Sequence, residues 1–173
     1  MPYDAPSDGS SAQVMTLAEV ESIARAAHAA QRDKAGRPYV EHLEAVAEGV
    51  RARGGGCELI AAAWLHDAVE DGVLSEEWLA AAALTQRTKD VVQALSKRPG
   101  EDPRVYAERI LATEGARLVK EADLAHNADP RRLAALDEPT ARRLTRKYAA
   151  MRQYLGLTAE TPGIPENPTT SDD

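Results

Sequence analysis

The sequence predicts an all-α domain, a single compact bundle of about eight helices. Three observations predict this class. Apolar residues make up 43% of the 173 positions, and because phenylalanine is absent the core must be built from alanine, leucine, valine and isoleucine. Apolar residues also recur at helical spacing between capping and breaking signals. Finally, no segment shows the strict alternation of a half-buried strand.

The first three predicted helices occupy the N-terminal half of the chain. The first begins at a capping box formed by Thr16 and Glu19, and it ends before the segment "DKAGRPY", which contains a glycine and a proline. The second covers about 40–50 and stops at the glycine triplet 54–56. The third is the alanine-rich stretch 61–72.

The remaining predicted helices follow with short connections. The fourth begins after Ser75, and the fifth carries the apolar residues of 91–95. The Asp-Pro pair at 102–103 is suited to the N-cap and first turn of a sixth helix. The seventh covers about 116–128, and the last covers about 139–155.

Composition limits the classes of function. The formal charge of −7 argues against DNA or RNA as a partner, because phosphate binding requires a basic surface. No apolar run reaches the length of a membrane span, and a single cysteine, Cys57, excludes an intrachain disulfide. The sequence therefore indicates a cytoplasmic protein without a membrane partner.

The two ends of the chain differ from its middle. Residues 1–14 and 158–173 are rich in Pro, Ser, Thr, Asp and Gly. Such segments cannot bury enough apolar surface to offset the entropy of ordering, so both are predicted to be disordered. The predicted domain is 15–157.

The stretch "AAAWLHDAVEDG" places His66, Asp67, Glu70 and Asp71 in an apolar segment that contains no lysine or arginine. On a helix the four side chains would cover less than half of the circumference. Three carboxylates this close repel one another, and a divalent cation would relieve the repulsion. The alternative interpretation is a solvated acidic helix face.

Two other stretches favour a metal site. "PYVEH" places His42 in the first turn of the second helix, and "VKEADLAHN" places Asp123 at the centre of the seventh. Three of the four histidines of the chain, His42, His66 and His126, lie in these two stretches or in "AAAWLHDAVEDG", and the fourth is His28. One histidine, a His-Asp doublet and a distant aspartate form a complete ligand set.

The chain resembles the HD-domain metal-dependent phosphohydrolases, and most closely the hydrolase half of the RelA/SpoT alarmone enzymes and the small alarmone hydrolases. The resemblance covers about 20–155 and rests on "AHAAQRDKAGRPYVEH", "AAAWLHDAVEDG" and "VKEADLAHN" in this order. It implies the helical HD-domain fold and one bound Mn²⁺. The implied metal ligands are His42, His66, Asp67 and Asp123.

The resemblance also implies a reaction and the residues for it. The reaction removes pyrophosphate from the ribose 3′ position of a small phosphorylated nucleotide, an alarmone of the (p)ppGpp type. Glu70 and Asp71 match the acid pair that activates or positions the attacking water. Lys34, Asn127 and Tyr148 match residues that bind the substrate.

Three positions depart from the family pattern. Asp33 stands where an arginine packs on the guanine base, Leu124 replaces a basic residue, and Leu43 replaces a proline. A carboxylate cannot make the stacking contact of arginine, and it would repel a nearby phosphate. We therefore expect guanine preference to be relaxed, so that adenine analogues such as (p)ppApp are admitted.

Two alternative functions remain open from the sequence. One is an HD phosphohydrolase that acts on other nucleotides, such as 5′-mononucleotides or dNTPs. The other is a non-catalytic regulatory domain that binds metal or nucleotide, although the acid pair Glu70 and Asp71 would be unnecessary for binding alone. The sequence leaves the oligomeric state open.

Overall fold

The computed structural model describes residues 13–157, which contain nine helices and no strand. The predicted disordered ends lie outside the described residues, except for positions 13 and 14. The all-α prediction is confirmed. The helices are α1 (Leu17–Ala27), α2 (Val40–Ala52), α3 (Cys57–Leu65), α4 (Glu76–Ala81), α5 (Gln86–Leu95), α6 (Pro103–Ala112), α7 (Ala116–Asn127), α8 (Pro130–Leu133) and α9 (Glu138–Tyr154).

The predicted helix starts are confirmed by their caps. Thr16 and Glu19 form the capping box of α1, with bonds of 3.2 Å and 2.8 Å between side chains and backbone N–H groups. Ser75 caps α4, and Asp102 caps α6 ahead of its proline. These side chains satisfy N–H groups that a helix leaves without partners at its start.

Two elements differ from the prediction. α3 ends at Leu65, seven residues before the predicted end at position 72. α8 is an additional short helix, which begins with Pro130 after the N-cap Asp129. This pair is the same Asp-Pro start signal as at 102–103, so the sequence contained the signal for α8.

α3 lies at the centre of the bundle, where it packs against α1, α2, α5 and α7. All of its residues from Leu59 to Leu65 are buried. α2 and α7 approach each other at Gly49, where an added Cβ would lie 3.1 Å from Cβ of Ala122. Among the described residues, no helix has both the length and the apolar character needed to cross a bilayer.

Gly115, the N-cap of α7, allows this helix to begin against α3. Its φ is 87°, and an added Cβ would lie 2.5 Å from Cδ2 of Leu59. We expect Gly115→Ala to lower the free energy of unfolding by about 1–3 kcal/mol more than Gly100→Ala. Gly100 has a φ of 70° but open space around it, so it controls for backbone strain alone. If urea denaturation showed that Gly115→Ala and Gly100→Ala lower the free energy of unfolding equally, the packing explanation would be wrong.

Candidate metal centre

Four potential metal-binding side chains lie close together where α2, α7 and the turn after α3 meet. Their ligand atoms all lie within 4.8 Å of one another. The residues are His42, His66, Asp67 and Asp123. Only Asp67 is partly accessible; the other three are buried. The structure thus brings together the four residues that the sequence predicted as a set.

The chain reaches this centre through a turn rather than a helix. After α3 ends at Leu65, residues 66–72 form hydrogen-bonded turns that close at Gly72, whose φ is 70°. The predicted continuation of the helix is therefore wrong. The N–H of Ala68 bonds the carbonyl of Leu65, a bond between positions three apart, and the Ala68 carbonyl accepts the N–H groups of Val73 and Leu74, which closes the segment at Gly72. The four side chains that were predicted to lie on one helix therefore lie on a series of turns.

His66 shows that the centre fits a cation. Its Nδ1 lies 2.6 Å from the carbonyl oxygen of Ala63, which can only accept, so Nδ1 donates. Its Nε2 is buried without a hydrogen-bond partner among the described residues, 3.0 Å from Oδ2 of Asp67 and 3.5 Å from Oδ1 of Asp123. In the neutral ring Nε2 would present a lone pair to two carboxylates, which is unfavourable unless a proton or a cation supplies a positive charge between them. Burial lowers the pKa of His66, but the two carboxylates raise it well above its usual value, and a divalent cation would supply the same charge.

His42 is oriented by His126. Nε2 of His42 lies 3.0 Å from Oδ1 of Asp123, and its Nδ1 lies 2.7 Å from Nδ1 of His126. If His42 presents the Nε2 lone pair to a cation, its Nδ1 must donate to His126. Burial, followed by the charges of His42 and Arg132, lowers the pKa of His126 to about 4, so a neutral His126 can accept. His126 thus orients the proposed ligand His42 without contacting the metal position itself, an arrangement that is common at metal sites.

The two aspartates are held by polar neighbours. The hydroxyl of Tyr39 donates to Oδ2 of Asp67 at 2.5 Å. Lys120 and Asn127 donate to the two oxygens of Asp123, at 2.7 Å and 2.9 Å respectively. Burial raises the pKa of Asp67, but the adjacent His66 outweighs it and the pKa falls to about 2. Both aspartates are therefore fixed in orientation and ready to bind a cation as carboxylates.

The predicted acid pair lies just beyond these ligands. Glu70 accepts the backbone N–H of Lys97 at 2.6 Å, and Asp71 accepts the side-chain amide of Gln31 at 2.8 Å. Partial burial raises the pKa of both carboxyl groups. Among the described residues, neither acid has a lysine or arginine side chain as its hydrogen-bond partner, so each is a stronger base than a salt-bridged carboxylate would be.

A cavity of about 390 Å³ opens beside the metal centre. Asp67, Glu70 and Asp123 form part of its wall, whereas Asp71 does not. The wall contains four acidic residues and seven basic ones, although the whole chain carries a charge of −7. The basic residues are Lys34, Arg37, Lys97, Lys120, Arg131, Arg132 and Lys147. All three predicted substrate-binding residues also line the cavity: Lys34, Asn127 and Tyr148.

The family model for the HD domain matches residues 21–102. This match contains the His-Asp doublet of the centre and the preceding histidine His42. Residues 21–102 thus carry an HD domain. Asp123 lies beyond the matched residues, and the packing of α7 against α2 and α3 brings it to the centre.

Two known proteins are similar to this HD domain. A probable guanosine-3′,5′-bis(diphosphate) 3′-pyrophosphohydrolase of Synechocystis sp. is 33% identical over 145 residues, which covers 75% of this chain. The chain spans only 19% of the length of that relative. A solved structure of a metazoan orthologue of SpoT, which hydrolyses ppGpp and plays a role in starvation responses, matches with a TM-score of 0.62 at 19% identity. That match covers 91% of this chain and the whole of the other, and it shows a shared fold.

Asp33 has a structural role in this HD domain. Its Oδ1 accepts the backbone N–H groups of Ala35 and Arg37, both at 2.9 Å, and so shapes the loop between α1 and α2. Its Oδ2 lies 3.3 Å from a guanidinium nitrogen of Arg132. Because the pair is largely buried, Arg132 offsets the negative charge of Asp33. The repulsion of phosphate expected from the sequence is therefore reduced, and an arginine from α8 faces the cavity instead.

Sequence reasoning left three supporting residues without a role at the centre. Lys120 and His126 lie three residues before and after Asp123, on the same face of α7. Tyr39 is the tyrosine of "PYVEH". Helical spacing from Asp123 could have indicated the first two. Nothing in the sequence pointed from Tyr39 to Asp67, which is 28 positions away.

Proposed function

We propose that this HD domain is a metal-dependent phosphohydrolase that removes pyrophosphate from the 3′ position of an alarmone of the (p)ppGpp or (p)ppApp type. The observation that carries the proposal is a cluster of two imidazoles and two carboxylates whose carboxylates form part of the wall of a basic cavity. The similarity to the Synechocystis pyrophosphohydrolase supports the substrate class. We propose Mn²⁺ as the metal, with His42, His66, Asp67 and Asp123 as its ligands.

Different side chains would accept the proton and bind the phosphate groups in the proposed reaction. A bound divalent ion would supply Lewis acidity and a water of lowered pKa. Glu70, which lines the cavity and is held by the N–H of Lys97, accepts a proton from the attacking water, and Asp71 assists it. Lys34 and Lys147 hold the phosphate groups, since both line the cavity.

A direct assay tests the proposed function. Purified protein with added Mn²⁺ is given ppGpp and ppApp, and pyrophosphate release is measured. We expect turnover of both nucleotides, with values of kcat/KM within about tenfold of each other, because Asp33 is engaged by Arg132 and cannot stack on a base. A strong guanine preference would contradict the relaxed base selection.

The same assay separates the alternative functions. 5′-Mononucleotides and dNTPs are included as substrates, with phosphate release as a second readout. Turnover of these compounds alone would favour the other nucleotide hydrolases. Binding of ppGpp without turnover of any nucleotide would favour a regulatory domain. Either result would overturn the proposed activity.

Lys147 gives substrate affinity a predictable pH dependence. Burial, and then the charges of Lys34, Lys120 and Lys97, lower the pKa of Lys147, while Glu70 opposes them. A lysine is neutral above its pKa, so we expect KM to rise at a less alkaline pH than for an ordinary lysine. Lys147→Arg should keep KM flat over the same range, and Lys147→Met should raise KM about tenfold at neutral pH.

Arg51, an exposed residue at the end of α2 that pairs with Glu48, provides the control for charge removal. Arg51→Met should leave KM unchanged at every pH. An equal rise of KM with pH in wild type and Lys147→Arg would show that another group titrates.

A further inference from the structure

His28 is a buried histidine that the proposed reaction does not use. It is completely inaccessible, and its ring stacks on Tyr39 with centroids 5.4 Å apart. Its Nδ1 lies 2.6 Å from Oε1 of Gln31, and Nε2 of Gln31 lies 2.8 Å from Oδ2 of Asp71. His28 therefore reaches the acid pair through one intervening amide.

The direction of this chain of hydrogen bonds is fixed by chemistry. A carboxylate can only accept, so the NH₂ group of Gln31 must face Asp71. The amide oxygen then faces His28 and can only accept, so Nδ1 of His28 must carry a hydrogen. His28 thus sets the orientation of the Gln31 amide, and the amide in turn occupies one oxygen of Asp71.

We infer that His28 and Gln31 are positioning residues that hold the Asp71 carboxylate in its working orientation. The inference rests on the proposed function, because it assigns a role within the acid pair of that reaction. Asp71 lies in the 66–72 turn, without a helix to fix its side chain. The backbone N–H of Lys97 holds Glu70 in the same way. Both acids are thus oriented by neutral donors.

A neutral donor suits this role better than a lysine or an arginine. A cation in contact with Asp71 would orient it but would also strongly favour the ionised form and weaken it as a base. The burial that raises the pKa of Asp71 is only partly opposed by Gln31. The amide therefore fixes the position of the carboxylate while leaving it able to take up a proton.

The other nitrogen of His28 shows that packing does not require a histidine here. Nε2 of His28 is buried and has no hydrogen-bond partner among the described residues, which is unfavourable. A phenyl ring could stack on Tyr39 without this unsatisfied nitrogen. The Nδ1 donor to Gln31 is therefore the polar contact that the imidazole contributes.

Gln31→Met tests the inference, because methionine keeps the length of the side chain and removes the donor. We expect kcat to fall about tenfold, with KM, Mn²⁺ affinity by calorimetry and Tm unchanged. The matched control is Gln86→Met. Gln86 on α5 donates to Asp90 at 2.8 Å, an equivalent contact outside both the metal centre and the cavity, so its loss should leave kcat unchanged.

A double-mutant cycle shows whether Gln31 acts through Asp71. In an Asp71→Asn background, which lowers kcat by itself, Gln31→Met should cause no further loss. A full additional tenfold loss would overturn the inference, as would wild-type kcat in Gln31→Met alone. Absence of turnover in both the wild type and Gln86→Met would instead overturn the proposed function, and with it the inference.

His28→Phe provides the second variant. We expect it to fold with a Tm equal to or above that of the wild type and to lose kcat to the same extent as Gln31→Met. The double variant should be no worse than either single one. A folded His28→Phe protein with wild-type kcat would overturn the role of His28.

Discussion

Asp123→Ala is expected to abolish metal binding and turnover and to lower the free energy of unfolding by about 3–5 kcal/mol. Asp123 is 4% exposed, and its two oxygens accept from Lys120 and Asn127. Its Oδ1 also lies 3.0 Å and 3.5 Å from Nε2 of His42 and His66. Alanine would remove one proposed ligand and leave the Lys120 ammonium buried without its carboxylate.

A second substitution separates the loss of stability from the loss of function. In Asp123→Ala/Lys120→Met no buried ammonium remains, so most of the lost stability should return while metal binding and turnover stay absent. Stability is measured by urea denaturation with a chelator present, so that bound metal does not contribute. Mn²⁺ binding is measured by calorimetry. Retention of wild-type Mn²⁺ affinity in Asp123→Ala would contradict the proposed ligand set.

Glu70→Gln is expected to lower kcat by about 10²–10⁴-fold while leaving Mn²⁺ affinity and KM near wild-type values. Glutamine keeps an oxygen that can accept the N–H of Lys97, which Glu70 accepts at 2.6 Å. The fold should therefore tolerate the change. What disappears is the carboxylate in the cavity wall that accepts the proton in the proposed reaction.

The dependence of kcat on pH provides a second test of the role of Glu70. Burial, together with the Asp67 and Asp71 charges, raises the pKa of Glu70 although the Lys97 N–H opposes this. A base acts when deprotonated, so wild-type kcat should fall with decreasing pH at a value above that of an ordinary glutamate. Glu70→Gln should lack this step. The control Glu76→Gln, at the exposed start of α4, should retain both the rate and the profile.

If Glu70→Gln kept the wild-type kcat, a group other than Glu70 would accept the proton of the attacking water. Asp71 would then be the base, and Asp71→Asn should produce the large loss instead. If both single variants kept wild-type kcat, the acid pair would have no role in the reaction. The proposed mechanism would then be wrong.

The helical class and most helix starts could be predicted from local patterns of residues. Caps such as Thr16, Ser75 and Asp102 act on N–H groups two or three residues away, so they are readable without a fold. The motifs carrying His42, the His66-Asp67 doublet and Asp123, through their resemblance to the HD phosphohydrolases, also predicted which residues meet at the centre. The four ligand atoms converge to within 4.8 Å.

The arrangement of the polar groups around that centre could not be predicted in this way, because it depends on contacts between segments distant in the chain. α3 ends at Leu65 and the acid pair lies in the turns that follow it, rather than on a continuous helix. The Asp33–Arg132 pair joins positions 99 residues apart. Hydrogen bonds of this kind depend on where distant segments pack, and such packing is set by the burial of the whole apolar core rather than by local sequence.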